Sequence, residues 1–436
     1  MKRNCLLVIE SHVPAEYYVE LTLEGIFPFY LVTDGDKTLI EKKIDDLKKS
    51  YDGNIYVYEP NQEYQNLLNR FLMHNIDVYN NVKVISKIDL LGNVLKDITI
   101  ETWDKEIRSE EDQKAYLISL KTENTCRYFN KIEFEGDKVI KTAKTDDAIK
   151  LQKIENKFYD DYGNVPVLAK KLGYDKDKNE LILKRVNGKT AQNWYYENGK
   201  HVELIHKVMY GLGVLNDTNI DIKDDEKDIK KAFYNELVGK INARVTPCKK
   251  LIDYFIDQSK IKYIDGMKIT KDYFVLMSKI ERWYEDNEDN FHACLCHGDP
   301  NTDNTMIDKD GNVVFIDPRG YFGNLKTIGL GMAEYDIAKF CYGLNGYSRF
   351  NSAPYINIIV DSRINIMIDY PTGDGKSITQ INLDSMPIDI NEKIIVGIIW
   401  MKLTSYIIND PMKSIIAYLY GNAICTKYLT QLGYLD

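Results

Sequence analysis

Residues 1–120 predict a small α/β Rossmann-like domain, and residues 125–436 predict an α+β fold in which strands come first and helices follow. Three observations lead there. Short apolar runs rich in β-branched and aromatic residues alternate with helical stretches before residue 120, the pattern of an open, largely parallel sheet. A charged stretch with few large apolar residues then covers 101–121 and reads as a helical connector. Beyond it, β-rich segments give way from His201 onward to helices, interrupted by one β-rich island at 293–318.

In the first region, 5–9, 28–32 and 54–58 are short apolar runs of the kind that form buried strands, and Val82–Ile85 is a fourth. Residues 38–51 place Leu39, Ile40, Ile44 and Leu47 at helical spacing, and 61–75 is a second helical stretch. After Thr125, segments 127–135 and 138–143 flank Gly136-Asp137, a hairpin signal. A helix over 147–162 and extended segments at 170–174 and 181–186 follow. The helical part includes 202–215, 227–243 and 271–288. This predicts domains at 1–120, 125–190 and 191–436.

The island carries the chemistry. Cys294-Leu295-Cys296-His297-Gly298-Asp299 is a short strand delivering an Asp, and a loop then delivers Asn304. Past a turn at 309–312, Val313-Val314-Phe315-Ile316-Asp317 is a hairpin strand delivering a second Asp. Phosphoryl transfer needs these types: one carboxylate to orient and deprotonate a hydroxyl, and an amide oxygen with a second carboxylate to hold Mg²⁺ on nucleotide phosphates. Asp299 suits the first role, and Asn304 with Asp317 the second. Asp and Asn are also ordinary turn formers, but all the elements together, with apolar strands before both Asp residues, favour catalysis. His297 reads as a packing and hydrogen-bonding residue of the loop rather than as a base. Cys294 and Cys296, two apart on one strand, read as small buried apolar residues.

The run His297-Gly298-Asp299, with Asn304 five residues after the Asp and Asp317 thirteen beyond that, resembles the aminoglycoside phosphotransferase and choline kinase family. The resemblance covers roughly 125–436 and implies a bilobal protein-kinase-like fold, with ATP and Mg²⁺ as cofactors and a small-molecule hydroxyl acceptor. It implies Asp299 as catalytic base and Asn304 and Asp317 as Mg²⁺ ligands. The longer string Ile316-Asp317-Pro318-Arg319-Gly320, followed by Glu334-Tyr335-Asp336-Ile337-Ala338-Lys339-Phe340, is similar to members encoded with capsule and surface-polysaccharide genes. Such a fold needs a nucleotide lobe, where Lys141 is the candidate for the phosphate-contacting lysine, with Lys144 competing, and Glu155 is its ion-pair partner. No Gly-rich loop precedes Lys141. Arg319 suits either a phosphate or substrate anion, or a salt bridge shaping the metal loop. Asp336 reads as a helix-start residue steadying the loop. The acceptor, a sugar, amino alcohol or aminoglycoside-like molecule, is expected against helices after 195, where acidic residues within 217–225 and near Asp336 suit a cationic one. A pseudokinase-like scaffold is the alternative function.

Other signals weigh less. Residues 371–377 look like a P-loop, but Tyr370 replaces the first glycine, and a hairpin between 364–370 and 378–383 fits better. Asp34-Gly35-Asp36-Lys37-Thr38 resembles the nucleophile motif of haloacid dehalogenase-like phosphatases without its downstream partners; a strand-to-helix turn is the plainer reading. Residues 54–61 resemble the acidic strand of Rossmann-like methyltransferases without a Gly-rich turn. The first domain therefore reads as non-catalytic, a docking or homodimerisation module.

Composition bounds the rest. A net charge of −9 argues against general nucleic-acid binding. Seven cysteines with no pair of CxxC units imply neither a disulfide framework nor a zinc site. The apolar stretches at the start and at 394–403 are too short for a signal peptide or a membrane span. A cytoplasmic protein without membrane insertion is expected.

Overall fold

The computed structural model describes residues 4–9, 33–34, 37–59, 68, 81–85, 98–103, 130–249, 252–253, 255–256, 260–348, 350, 357–360, 365–369, 381–407 and 411–436. Near the N-terminus lie β1 (Asn4–Ile9), the two-residue β2 (Thr33–Asp34) and β3 (Lys37–Thr38), α1 (Leu39–Ser50), β4 (Ile55–Tyr58), β5 (Val82–Ile85) and β6 (Ile98–Trp103). Four of these form a sheet in the order β5-β4-β1-β6, and every pairing in it is parallel. Cys5, Leu7, Ile55 and Val57 are buried, as are Ile40, Ile44 and Leu47 of α1. Residues 101–103, expected in a helical connector, instead complete β6 beside β1. Ile98, Thr99, Ile100 and Thr102 are β-branched, and pairing with β1 rewards that preference. Asp34 and Lys37 pair across the β2–β3 ladder rather than forming a plain strand-to-helix turn. The stretches 28–32, 61–67, 69–75, 104–121 and 371–377 lie outside the described residues, as does Cys126.

A second, antiparallel sheet follows, in the order β7-β8-β10-β9. Its strands are β7 (Asn130–Glu135), β8 (Lys138–Ala143), β9 (Lys171–Asp175) and β10 (Glu180–Lys184). Glu135 pairs with Lys138, so the chain reverses over Gly136-Asp137, with Gly136 at φ +59°. Between β8 and β9 runs α2 (Asp146–Tyr162), whose N-cap Thr145 accepts from Ala148 N at 3.3 Å. Its buried face includes Gln152 and Glu155 beside Phe158 and Tyr159, polar groups that an ordinary core-facing stripe would exclude.

The C-terminal part is mostly helical. After β11 (Gly188–Thr190) come α3 (Ala191–Asn198), α4 (His201–Asn216), α5 (Glu226–Tyr234), α6 (Lys240–Val245), the short β12 (Tyr263–Ile264) and β13 (Met267–Lys268), and α7 (Tyr273–Asn287). The single helix expected over 227–243 is broken by a π-helical turn at Asn235–Gly239. That widened turn buries Glu236, Leu237 and Val238 in succession, which a regular helix on a core surface would not do. The last helices are α8 (Ala333–Tyr342), α9 (Ile390–Leu403) and α10 (Pro411–Gln431). Helix α9 is buried from Ile394 through Lys402, so the apolar run there is core. Gly397 and Gly421 let α9 and α10 touch: a Cβ on Gly421 would lie 2.5 Å from the Gly397 carbonyl oxygen.

Within the helical part sit β14 (Ala293–Leu295), β15 (Thr305–Asp308), β16 (Val313–Phe315) and β17 (Leu330–Met332). Strands β11, β15 and β16 form one antiparallel sheet, and β14 pairs with β17. The first lobe is tied to this hairpin where Phe315 N donates to Val167 O at 2.7 Å and Ala169 N to Phe315 O at 2.9 Å. Finally, β18 (Asn357–Val360) pairs with β19 (Asn365–Asp369), so the hairpin partner of 365–369 is the preceding strand and not 378–383. Among the described residues all six cysteines are free thiols, and no helix is long and apolar enough to cross a membrane.

Candidate active site

Strand β14 ends at Leu295, and Cys296 N still donates to Gly329 O at 2.8 Å before the chain turns away. What holds the turn is Asp336 in the first turn of α8. Fully buried, it accepts from His297 N at 2.6 Å and from Gly298 N at 2.8 Å. Burial pushes its carboxyl up to about 7, against the pull of these two N–H groups. Gly298 sits at φ +82°, and a Cβ there would lie 2.9 Å from Arg319 Cβ, so only glycine fits.

His297 is fully buried, and burial pushes its pKa down to about 4. Its Nε2 lies 2.9 Å from Ile316 O and its Nδ1 accepts from Asp299 N at 3.3 Å. A neutral ring with its proton on Nε2 satisfies both bonds. The imidazole thereby ties the Asp299 loop to the strand end that precedes Asp317.

Asn301 organises the next turn. Its Oδ1 accepts from Asp303 N at 2.9 Å and Asn304 N at 3.2 Å, while its Nδ2 donates to Asp299 Oδ1 at 3.1 Å. Asn304 Nδ2 donates to Asp299 O at 2.9 Å, which leaves its amide oxygen as the atom to offer a cation. Thr305 pairs with Phe315 and Ile316 N donates to Asn304 O at 2.9 Å, so the hairpin register sets Asn304 beside the approach to Asp317. Asp317 has φ +58°, a left-handed conformation that costs a non-glycine residue about 1–3 kcal/mol. Its carboxylate is half exposed.

Lys141 reaches this carboxylate from the other sheet. Its amino group pairs with Asp317 Oδ1 and lies 2.7 Å from Glu155 Oε2. Register explains the reach: Lys141 lies on β8 between β7 and β10, and Gln152 Nε2 donates to its carbonyl at 2.6 Å, docking α2 on the strand. Burial pushes Glu155 up to about 7, with Lys141 pulling it down and Asp317 raising it. For Lys141 burial acts downward, but Glu155 and Asp317 outweigh it and hold the ammonium above its ordinary range. Lys144, the competing lysine, is exposed just beyond β8. The turn above holds Gly136 alone, with exposed Phe134 beneath Arg185, 5.2 Å from guanidinium to ring centre.

A second polar cluster adjoins Asp299. Lys339 Nζ lies 3.4 Å from Asp299 Oδ1. Glu236, on the π-helical turn and almost wholly buried, pairs with Lys240, with Lys402 at 3.0 Å and with Arg319 at 3.4 and 3.5 Å. Burial opposes its charge, but these cations prevail and hold its carboxyl well below the usual range. Arg319 thus takes the salt-bridge role, its guanidinium also lying 4.3 Å from the Tyr321 ring centre. Sequence reasoning missed Asn301, Glu236, Lys339 and Lys402. The one available signal was Lys402 itself, a lone cation in an apolar helical run, which requires a buried partner. The acidic 217–225 segment serves loops instead: Asp224 accepts from Lys326 N and Thr327 N, each at 2.9 Å, and Asp225 caps α5.

Residues 267–362, which span Asp299, Asn304 and Asp317, match the model of the phosphotransferase enzyme family. No curated protein sequence matches the chain. Solved structures similar to it include choline kinase LicA from Streptococcus pneumoniae, 10% identical with a TM-score of 0.40, covering 74% of this chain and 98% of that one. A choline/ethanolamine kinase family protein from Mesorhizobium loti is 10% identical, with a TM-score of 0.41 and coverage of 73% and 97%. Aminoglycoside phosphotransferase APH(2'')-Ib is 18% identical, with a TM-score of 0.29 and coverage of 50% and 70%. From residue 130 onward the chain is an antiparallel sheet with one helix against it, followed by a mostly helical part that bears the site hairpin.

Proposed function

We propose that the chain, whose residues 267–362 match the phosphotransferase enzyme family, is a small-molecule kinase that transfers the γ-phosphoryl group of ATP to an acceptor hydroxyl with Asp299 as base. The observation that carries the reading is the meeting of Lys141, Glu155 and Asp317, brought from two sheets and one helix onto the loop beside Asp299. Asp299 takes the hydroxyl proton as the oxygen bonds to phosphorus and the bond to the β–γ bridging oxygen breaks, releasing ADP. Lys339 and Asn301 orient its carboxylate. Lys141, fixed by Glu155, contacts the nucleotide phosphates.

The donor set fits Mg²⁺. One carboxylate from Asp317 and one amide oxygen from Asn304 form a hard, all-oxygen pair, and Mg²⁺ is commonly held by one or two carboxylates together with substrate phosphates. When bound, Mg²⁺ neutralises charge on the phosphates.

In this reading residues 125–190 form the nucleotide lobe and 191–436 the acceptor and catalytic lobe. Residues 1–120 form a non-catalytic docking or homodimerisation domain; its parallel sheet ends at Trp103, and the next sheet begins at Asn130. The resemblance of the 316–340 string favours an acceptor from surface-polysaccharide biosynthesis in the cytoplasm. The test is calorimetry with ATP and Mg²⁺, followed by a phosphorylation screen. Metal-dependent ATP binding, retained in Asp299→Asn with transfer reduced at least about a hundredfold, is expected. Absence of metal-dependent binding would leave the scaffold alternative standing instead.

A further inference from the structure

We propose that the acceptor carries an anionic group, a phosphate or carboxylate, held beside Asp299 by Lys240, Arg319 and Lys339; this rests on the kinase reading above. These side chains form one connected cluster. Lys339 pairs with Asp299, and Lys240, Arg319 and Lys402 converge on the single carboxylate of Glu236. Helices α6, α8 and α9 and the loop after β16 each supply one cation, so no single element explains the convergence.

Three cations against one buried carboxylate is an excess that costs free energy unless a counter-charge is supplied. Asp336 also feels Arg319, but both its oxygens are engaged by the N–H groups of His297 and Gly298. With Lys402 set aside as the partner of Glu236, Lys240, Arg319 and Lys339 lie around Glu236 and the carboxylate of Asp299. The excess grows when Asp299 takes a proton. Arg319 meets Glu236 at 3.4 and 3.5 Å, longer than the roughly 2.7–2.9 Å of a well-formed charged pair, and also packs on Tyr321. Burial pushes Lys402 down to about 7 against the pull of Glu236, and its ammonium is taken up by Glu236 O, Glu236 Oε1 and the Tyr335 hydroxyl, so Lys402 serves Glu236.

The cluster is reachable. Asp299 and Lys240 are 30% and 34% exposed as side chains, so a ligand with its hydroxyl at Asp299 can present an anion to this edge. A quaternary ammonium or a polyamine there would meet repulsion. The sequence-based expectation of a cationic acceptor placed its acidic groups at 217–225 and Asp336, and Asp224, Asp225 and Asp336 are committed to backbone N–H groups.

The test compares phosphoryl transfer from labelled ATP to hydroxyl compounds in four arms: sugar phosphates, sugar acids, neutral sugars and cationic amino alcohols. Turnover confined to an anionic arm is expected, and the two anionic arms separate phosphate from carboxylate. Lys240→Gln should raise KM for that acceptor about tenfold, with kcat and KM for ATP little changed, and Lys240→Arg should restore it. Mg²⁺-dependent ATP binding is measured in parallel. If ATP binds but neutral or cationic acceptors are turned over as well as or better than anionic ones, the anionic acceptor is overturned and the kinase reading survives. If no metal-dependent nucleotide binding occurs, both fall. Equal effects of Lys240→Gln on kcat and on both KM values would also overturn the proposal, marking the cluster as structural.

Discussion

Lys141 Nζ lies 2.7 Å from Glu155 Oε2, a pair formed between β8 and α2 and almost closed to solvent on both sides. Lys141→Met removes the cation from that pair and from Asp317. Glu155 is then buried without a counter-charge, and breaking a buried pair this way costs about 3–5 kcal/mol. We expect a lower Tm, and weaker ATP binding by calorimetry. The double variant Lys141→Met with Glu155→Leu should recover much of the Tm but none of the ATP affinity.

Asp317 combines a functional carboxylate with a left-handed backbone at φ +58°. Asparagine tolerates that region better than other non-glycine residues. Asp317→Asn should therefore keep its unfolding free energy within about 1 kcal/mol of wild type while losing the Mg²⁺ dependence of nucleotide binding. Asp317→Val, β-branched, should lose both. Thermal melts run beside metal titrations separate the two effects.

Asp336 never faces a substrate in this arrangement, yet it sets the Asp299 loop through two backbone N–H groups. Asp336→Ala leaves both donors buried and unsatisfied, at about 1–3 kcal/mol each. The expected outcome is a drop in kcat larger than any change in ATP affinity, alongside a lower Tm.

Lys402 supplies a pH signature. Burial lowers its folded pKa from 10.5 to about 7. The unfolded chain then binds more protons than the folded one between pH 7 and 10, so stability contributed by this residue rises with pH across that window and is lost as pH falls toward 7. Its slope should be on the order of 1 kcal/mol per pH unit. Lys402→Met should lack it, and denaturant melts of the two proteins at pH 7, 8 and 9 provide the comparison; parallel curves would refute the assignment.

The loop proposed to be catalytic was legible as a turn because it is local. His297 to Asn304 is one turn, its residues are held by near neighbours in sequence, and the β15–β16 hairpin that returns Asp317 needs only a short loop. Residues 101–103 were misread because their neighbours after 103 are charged, while the partner that makes them a strand, β1, lies far back in the chain. The π-helical turn at 235–239 was invisible for a similar reason. Its energetic justification is the meeting of Glu236 with Arg319 and Lys402, residues 83 and 166 positions away.

By itself the sequence determined much of the order of strands and helices and the run from His297 to Asp317 with the types of group it carries, since local propensity and short-range spacing carry that information. Tertiary structure alone decided that Lys141 rather than Lys144 meets Glu155 and Asp317, that Arg319 turns to Glu236, and that Lys339 comes to Asp299. Charge pairing acts over a few ångströms of space and is blind to sequence separation. The sign of the field around Asp299 therefore exists only once the chain has folded.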